Sequence, residues 1–116
     1  MRQVMVRYKV KPDQVARNEE LVRAVYDELH EKDPPGLRYA TFRLDDGVTF
    51  VHFASMENEG PSPLLDVEAF GRFQEAIGER CDEAPVVTEL SEIGSFHLGD
   101  PAPTPTNSAS GTGRRR

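Results

Sequence analysis

The stretch from Leu37 to Ser55, LRYATFRLDDGVTFVHFAS, decides the fold. Two alternating runs, Leu37 to Leu44 and Val48 to Ser55, flank Asp45-Asp46-Gly47. Asp-Gly between alternating segments is a strong hairpin signal, because a tight turn needs positive φ and glycine supplies it without strain. A two-residue loop at Asp46-Gly47 sets Leu44 against Thr49, Phe42 against Val51 and Ala40 against Phe53. That face is apolar and is expected to pack on the core. The other face carries Tyr39, Thr41, Arg43, Phe50 and His52 and is expected to meet a partner or a ligand.

The pattern outside the hairpin completes a domain. Val4, Val6, Tyr8 and Val10 alternate with Met5, Arg7 and Lys9, as in a half-buried strand that ends at Lys11-Pro12-Asp13, with Asp13 available as a helix cap. From Val15 to about Lys32 the period becomes helical. Val15, Val22, Val25 and Leu29 form the stripe, with Leu21 and Tyr26 beside it and Asn18 interrupting it. Asp33-Pro34-Pro35-Gly36 ends that helix. A second helix is expected from about Asp66. Phe70, Phe73, Ile77 and Cys81 form its buried face, and Gly71 and Gly78 are suited to close packing. Asp82 to Pro85 would close it. A last strand is expected from Pro85 to about Leu98, with Gly94 at a bulge or bend.

The order β-α-β-β-α-β predicts an α+β, ferredoxin-like domain: a four-stranded antiparallel sheet with two helices on one face. In that arrangement the second hairpin strand lies between the first and the N-terminal strand. The domain is expected to span residues 1–98. Residues 99–116, GDPAPTPTNSASGTGRRR, lack an apolar pattern and are expected to form a disordered tail.

Composition narrows the functional classes. With 116 residues and 37% hydrophobic content, the chain suits one domain with a modest core. Residues 1–98 carry 11 Lys+Arg against 19 Asp+Glu, a net −8, so the body lacks the basic footprint that nucleic acid requires. The single cysteine, Cys81, excludes an internal disulfide and reads as a small buried hydrophobe. There is no apolar run of membrane-span length, and the alternating start, MRQVMVRYKV, lacks the apolar block of a signal peptide. A cytoplasmic location is the expectation. His30, His52 and His97 have no ligand spacing, so no metal site is predicted. No phosphate loop or dinucleotide fingerprint is present.

Strand one ending in Val10-Lys11-Pro12, the hairpin through Asp46-Gly47, the aromatic helix face Ala69 to Phe73 (AFGRF) and the closing Pro85-Val86-Val87 together resemble the dimeric α+β barrel proteins. Within that group the chain is similar to the antibiotic-biosynthesis-monooxygenase-like domains over residues 2–98. The resemblance implies a homodimer whose sheets pair face to face and a pocket in each subunit. It also implies oxygenation of a small aromatic or polyketide-like molecule without metal, flavin or other cofactor, or haem degradation. Trp, Asn, Tyr or His line such pockets, and this chain has no Trp.

On the face assigned to the ligand, His52 is the candidate catalytic base, since an imidazole titrates near neutral pH. Arg7 or Arg43 would hold a substrate anion, Tyr39 would bond a quinone or phenol oxygen, Phe50 would stack on a ring, and Thr41 would border them. The alternative is that His52 hydrogen-bonds across the dimer interface, with the arginines paired to acids. The helix-free face is expected to carry Met5, Tyr39, Phe50 and Ile93, a set too apolar for open solvent. A non-catalytic ligand-binding or purely structural dimer using the same barrel is the other functional reading.

Overall fold

The structure, a computed structural model, describes residues 1–57 and 60–97. The expectation for residues 99–116 lies outside the described residues. Four strands, β1 (Arg2–Val10), β2 (Leu37–Arg43), β3 (Thr49–Met56) and β4 (Cys81–Leu90), form one antiparallel sheet in the order β2-β3-β1-β4. Helix α1 (Val15–Lys32) follows a single 3₁₀ turn at Pro12–Gln14, and α2 (Glu68–Gln74) and α3 (Ile77–Arg80) follow β3. This is the ferredoxin-like arrangement predicted by the order of elements.

The hairpin register is the expected one: Phe42 pairs with Val51 and Ala40 with Phe53. Its loop is longer than two residues. Gly47, at φ 81°, donates its N–H to the Leu44 carbonyl, and the Asp46 carboxylate collects the Thr49 hydroxyl and the N–H groups of Val48 and Thr49. Those bonds hold the Asp46 carboxyl at about 2.

The faces of the hairpin are the reverse of those expected, whereas β1 buries the expected Val4, Tyr8 and Val10. Val6 pairs with His52 and Tyr8 with Phe50, so Val4, Tyr8, Val10, Phe50, His52 and Ala54 share the helix-covered face. Arg7 pairs with Val51 and Val86, and Met5 with Phe53, which puts these residues with Phe42 on the helix-free side. Phe42 and Phe53 meet edge to face there, 53% and 40% exposed. The expected exposed set is corrected accordingly: Tyr39 and Phe50 lie under the helices, and Ile93 follows the end of β4. The Phe42–Val51–Phe53 face is the more apolar of the two in sequence, yet it is the uncovered one. The polar atoms of the other face can be buried because they satisfy one another.

The second helix is broken. Asp66 closes a 3₁₀ turn (Pro63–Asp66), α2 lasts seven residues, and Ala76 takes a left-handed φ of 59° before α3. Cys81 begins β4 rather than ending a helix, pairing with Val10 after two register shifts. Asp82 to Pro85 therefore lie in an edge strand, where a proline is tolerated. No neighbour lies within 4 Å of a Cβ built at Gly71 or Gly78, so neither mediates close packing, and Gly94 lies past the strand. Nor does Asp13 cap α1: it sits inside the 3₁₀ turn, and Gln14 is the N-cap residue, without a side-chain bond.

Glu28 on α1 joins the two longer helices of the layer. Its carboxylate accepts from the N–H groups of Glu68 and Ala69 at the start of α2 and pairs with Lys32 at 2.7 Å. The Lys32 bond first, then the backbone donors, hold its carboxyl at about 2. The core between sheet and helices is Tyr8, Val10, Val22, Val25, Phe50, Val67, Ala69 and Phe73.

Candidate functional site

A chain of polar side chains runs through this core. It begins on β1, where Tyr8, 1% exposed, stacks on Phe50 at 5.6 Å. The Tyr8 hydroxyl lies 2.8 Å from Nε2 of His52, which is 4% exposed on β3. On the other side of the ring, Nδ1 of His52 lies 2.7 Å from the Tyr39 hydroxyl and 3.0 Å from Oγ1 of Thr41, both on β2. Thr41 in turn bonds the Tyr26 hydroxyl of α1 at 2.8 Å. Fully buried Asn18 donates Nδ2–H to the Tyr8 oxygen at 2.9 Å, and Arg80 donates Nε–H to Oδ1 of Asn18 at 3.2 Å.

Arg80 is 6% exposed and, among the described residues, bonds neutral oxygens only. Its other two nitrogens donate to the carbonyls of Glu75 and Phe73, which the break after α2 leaves without helical partners. Its guanidinium also lies 5.5 Å from the Phe73 ring centroid.

Aromatic rings close the site. Phe73 lies 5.3 Å from the His52 ring, Phe70 stands edge-on to Tyr39 at 6.5 Å, and Tyr26 stacks on Tyr39 at 5.5 Å. Burial lowers the His52 pKa to about 4, so the ring is neutral at pH 7, and burial raises the pKa values of the Tyr8, Tyr26 and Tyr39 phenols. Two surface cavities flank the helical layer. One of about 550 Å³ lies between Lys32, Pro34, Pro61 and Leu65; the other, of about 350 Å³, is lined by Arg17, Arg72, Glu79 and Arg80. His52 lines neither.

Of the residues singled out from the sequence, His52, Tyr39 and Thr41 come together, on the helix-covered face rather than the helix-free one. Phe50 lies on that face as core, against Tyr8. Arg43 reaches α1 and pairs with Glu19 at 2.6 Å. Arg7 lies on the opposite side of the sheet from His52 and cannot share a site with it. Tyr8, Tyr26, Asn18 and Arg80 complete the cluster without having been assigned to it. Asn18 carried a signal, since an amide within an apolar stripe must find partners when buried. Arg80 carried none, because its burial depends on the helix break at Ala76.

No protein-family model matches the chain, and comparison with curated proteins finds no match. Solved structures do match. One, named as an antibiotic biosynthesis monooxygenase, is 20% identical with a TM-score of 0.63, over 81% of this chain and 100% of that one. A protein of unknown function from Nitrosomonas europaea is 14% identical with a TM-score of 0.64, over 82% and 91% of the two chains. Rv0793 of Mycobacterium tuberculosis is 20% identical with a TM-score of 0.60, over 81% and 96%. The chain therefore has the ferredoxin-like α+β fold of the antibiotic-biosynthesis-monooxygenase-like structures, and at these identities the likeness is one of fold. Among the described residues, no helix is long and apolar enough to cross a membrane.

Proposed function

We propose that this protein binds a small aromatic or polyketide-like molecule at the Tyr39 end of the His52 layer and oxidises it without metal or flavin. Fold alone does not establish a reaction. The observation that carries the proposal is a neutral imidazole buried among phenols and phenylalanine rings, with Tyr39 at its more open side. In an oxygenation of this kind the substrate loses a proton to become an electron-rich anion that dioxygen can meet. For an anthrone, the ring CH₂ becomes C=O, and the two oxygen atoms end in the ketone and in water.

His52 is the base of this reading, and Tyr39 and Thr41 orient the substrate oxygen. Arg43, held by Glu19 at the rim, is left as a secondary anion contact. Arg7 and Phe50 take no part in this reading: one lies across the sheet and the other is core.

A binding role without turnover is the second reading. Both His52 nitrogens are already hydrogen-bonded, so the ring acts as a base only once the hydroxyl facing its lone pair moves aside. Oxygen uptake with a panel of anthrones and hydroquinones separates the two. Uptake that is lost in His52→Gln supports the enzyme. Saturable binding of the same compounds with no oxygen consumed supports the binding protein.

The homodimer belongs to this proposal. Its surface is the helix-free face around Phe42, Val51, Phe53 and Val86, which leaves the His52 layer to each subunit.

A further inference from the structure

We propose that Arg80 is a positioning residue: acting through Asn18 and Tyr8, it fixes the tautomer of His52 and leaves the Tyr39 hydroxyl as the donor that meets a ligand oxygen. The consequence for a ligand rests on reading the His52 layer as the binding site. The tautomer itself follows from hydrogen-bond polarity.

A guanidinium has donors and no acceptor. Only the oxygen of the Asn18 amide can therefore face Arg80 Nε. That orientation turns the Asn18 NH₂ toward Tyr8, and the phenol oxygen receives its proton. Tyr8 is sealed from water, and the remaining partner of its hydroxyl is His52 Nε2. The phenol proton therefore points at Nε2, which must carry a lone pair. A neutral imidazole then has its hydrogen on Nδ1, shared between the oxygens of Tyr39 and Thr41.

The opposite tautomer has a specific fault. Nε2–H would aim at Tyr8, whose oxygen already accepts from Asn18, and the Tyr8 proton would have no acceptor in a dry core. In either form one phenol beside the ring, Tyr8 or Tyr39, loses the imidazole as the acceptor of its proton. The Nδ1–H form moves that loss from sealed Tyr8 to half-buried Tyr39. A free O–H at the more open end suits a carbonyl or phenolate oxygen and disfavours a ligand that offers only a donor. The Asn18 amide neither gains nor loses a proton, so Arg80 orients the chain and carries no proton through it.

Two-bond ¹⁵N–¹H correlation of the histidine rings in the full chain at neutral pH reads the tautomer directly. The expected result is a pyrrole-type Nδ1 and a pyridine-type Nε2 for His52. Asn18→Asp keeps the side-chain size and the Arg80 contact but presents Tyr8 with an acceptor, so the relay should reverse and His52 become Nε2–H. Arg80→Met frees the amide to turn over, and both tautomers should be seen. If Arg80→Met does not fold, Asn18→Asp decides. An Nε2–H ring in the unmodified protein overturns the proposal, as does an unchanged ring in Asn18→Asp or in folded Arg80→Met. No ligand or turnover enters this measurement, so its failure and that of the oxygenase reading are separate events.

Discussion

Tyr8 and His52 are diagonal neighbours across the β1–β3 ladder, and their side chains are joined at 2.8 Å with no room for water. That contact ties the ionisation of His52 to the stability of the whole sheet. The unfolded ring takes up a proton near 6.5, the native ring near 4. Between those values the unfolded chain binds more protons, so stability is complete above about pH 6.5 and is lost as pH falls toward 4. The difference is worth about 3 kcal/mol. Urea unfolding from pH 7.5 to 4 should show this loss, and His52→Gln should flatten it. Glu28 and Asp46, both held at about 2, act in a lower window, as pH falls from about 4 toward 2.

The two phenols beside His52 should behave differently. Tyr8→Phe strands Nδ2 of Asn18 and Nε2 of His52 in the core, which should cost roughly 1–3 kcal/mol for each group left unpaired. Tyr39→Phe leaves Nδ1 a second acceptor in Thr41 at 3.0 Å, so the loss should be below about 1 kcal/mol. Ligand affinity should follow the opposite order, with Tyr39→Phe binding quinones weakly at near-normal stability. Equal stability losses in the two variants would contradict the Nδ1–H arrangement.

The sequence carried the hairpin register because the Asp46-Gly47 signal is local and its strands are adjacent. Which face is buried depends on how β3 meets β1, a pairing set by residues at least 40 positions apart. Alternation offers two faces per strand, and simple hydrophobicity favoured Phe42, Val51 and Phe53. What reversed it was cooperation among polar atoms on three strands: Tyr8 and His52 are buried together, half-buried Thr41 bonds the ring, and none would sit there alone. His52, Tyr39 and Thr41 were legible because they alternate on one face of one hairpin. Arg80 was not, because its acceptors are the carbonyls of Phe73 and Glu75, exposed by a helix break that the aromatic spacing of Phe70, Phe73 and Ile77 does not announce.

On the helix-free side, Phe42 and Phe53 present an apolar surface that water disfavours. If two copies pair there, Phe42→Lys and Phe53→Lys should each shift the protein from dimer to monomer at micromolar concentration. The melting transition of the monomer should remain cooperative, because neither ring belongs to the core beneath the helices. Analytical ultracentrifugation of wild type and variants checks this. A wild-type monomer at those concentrations would remove the dimer from the proposal.

Access to the buried layer should depend on Phe70 and Phe73, which act at different depths. Phe73 is buried against His52, Tyr8 and Arg80, so Phe73→Ala should cost about 3–5 kcal/mol and loosen the Arg80 clamp. Phe70 is half-buried over Tyr39 on a seven-residue helix whose next turn is broken at Ala76. Its removal should cost less and open the approach to the Tyr39 hydroxyl. Stopped-flow mixing with a quinone ligand should give faster association in Phe70→Ala than in wild type, with Tyr39→Phe abolishing the gain in the double variant. If Phe70→Ala leaves association unchanged while destabilising the fold as much as Phe73→Ala, Phe70 is a core residue and the ligand enters elsewhere.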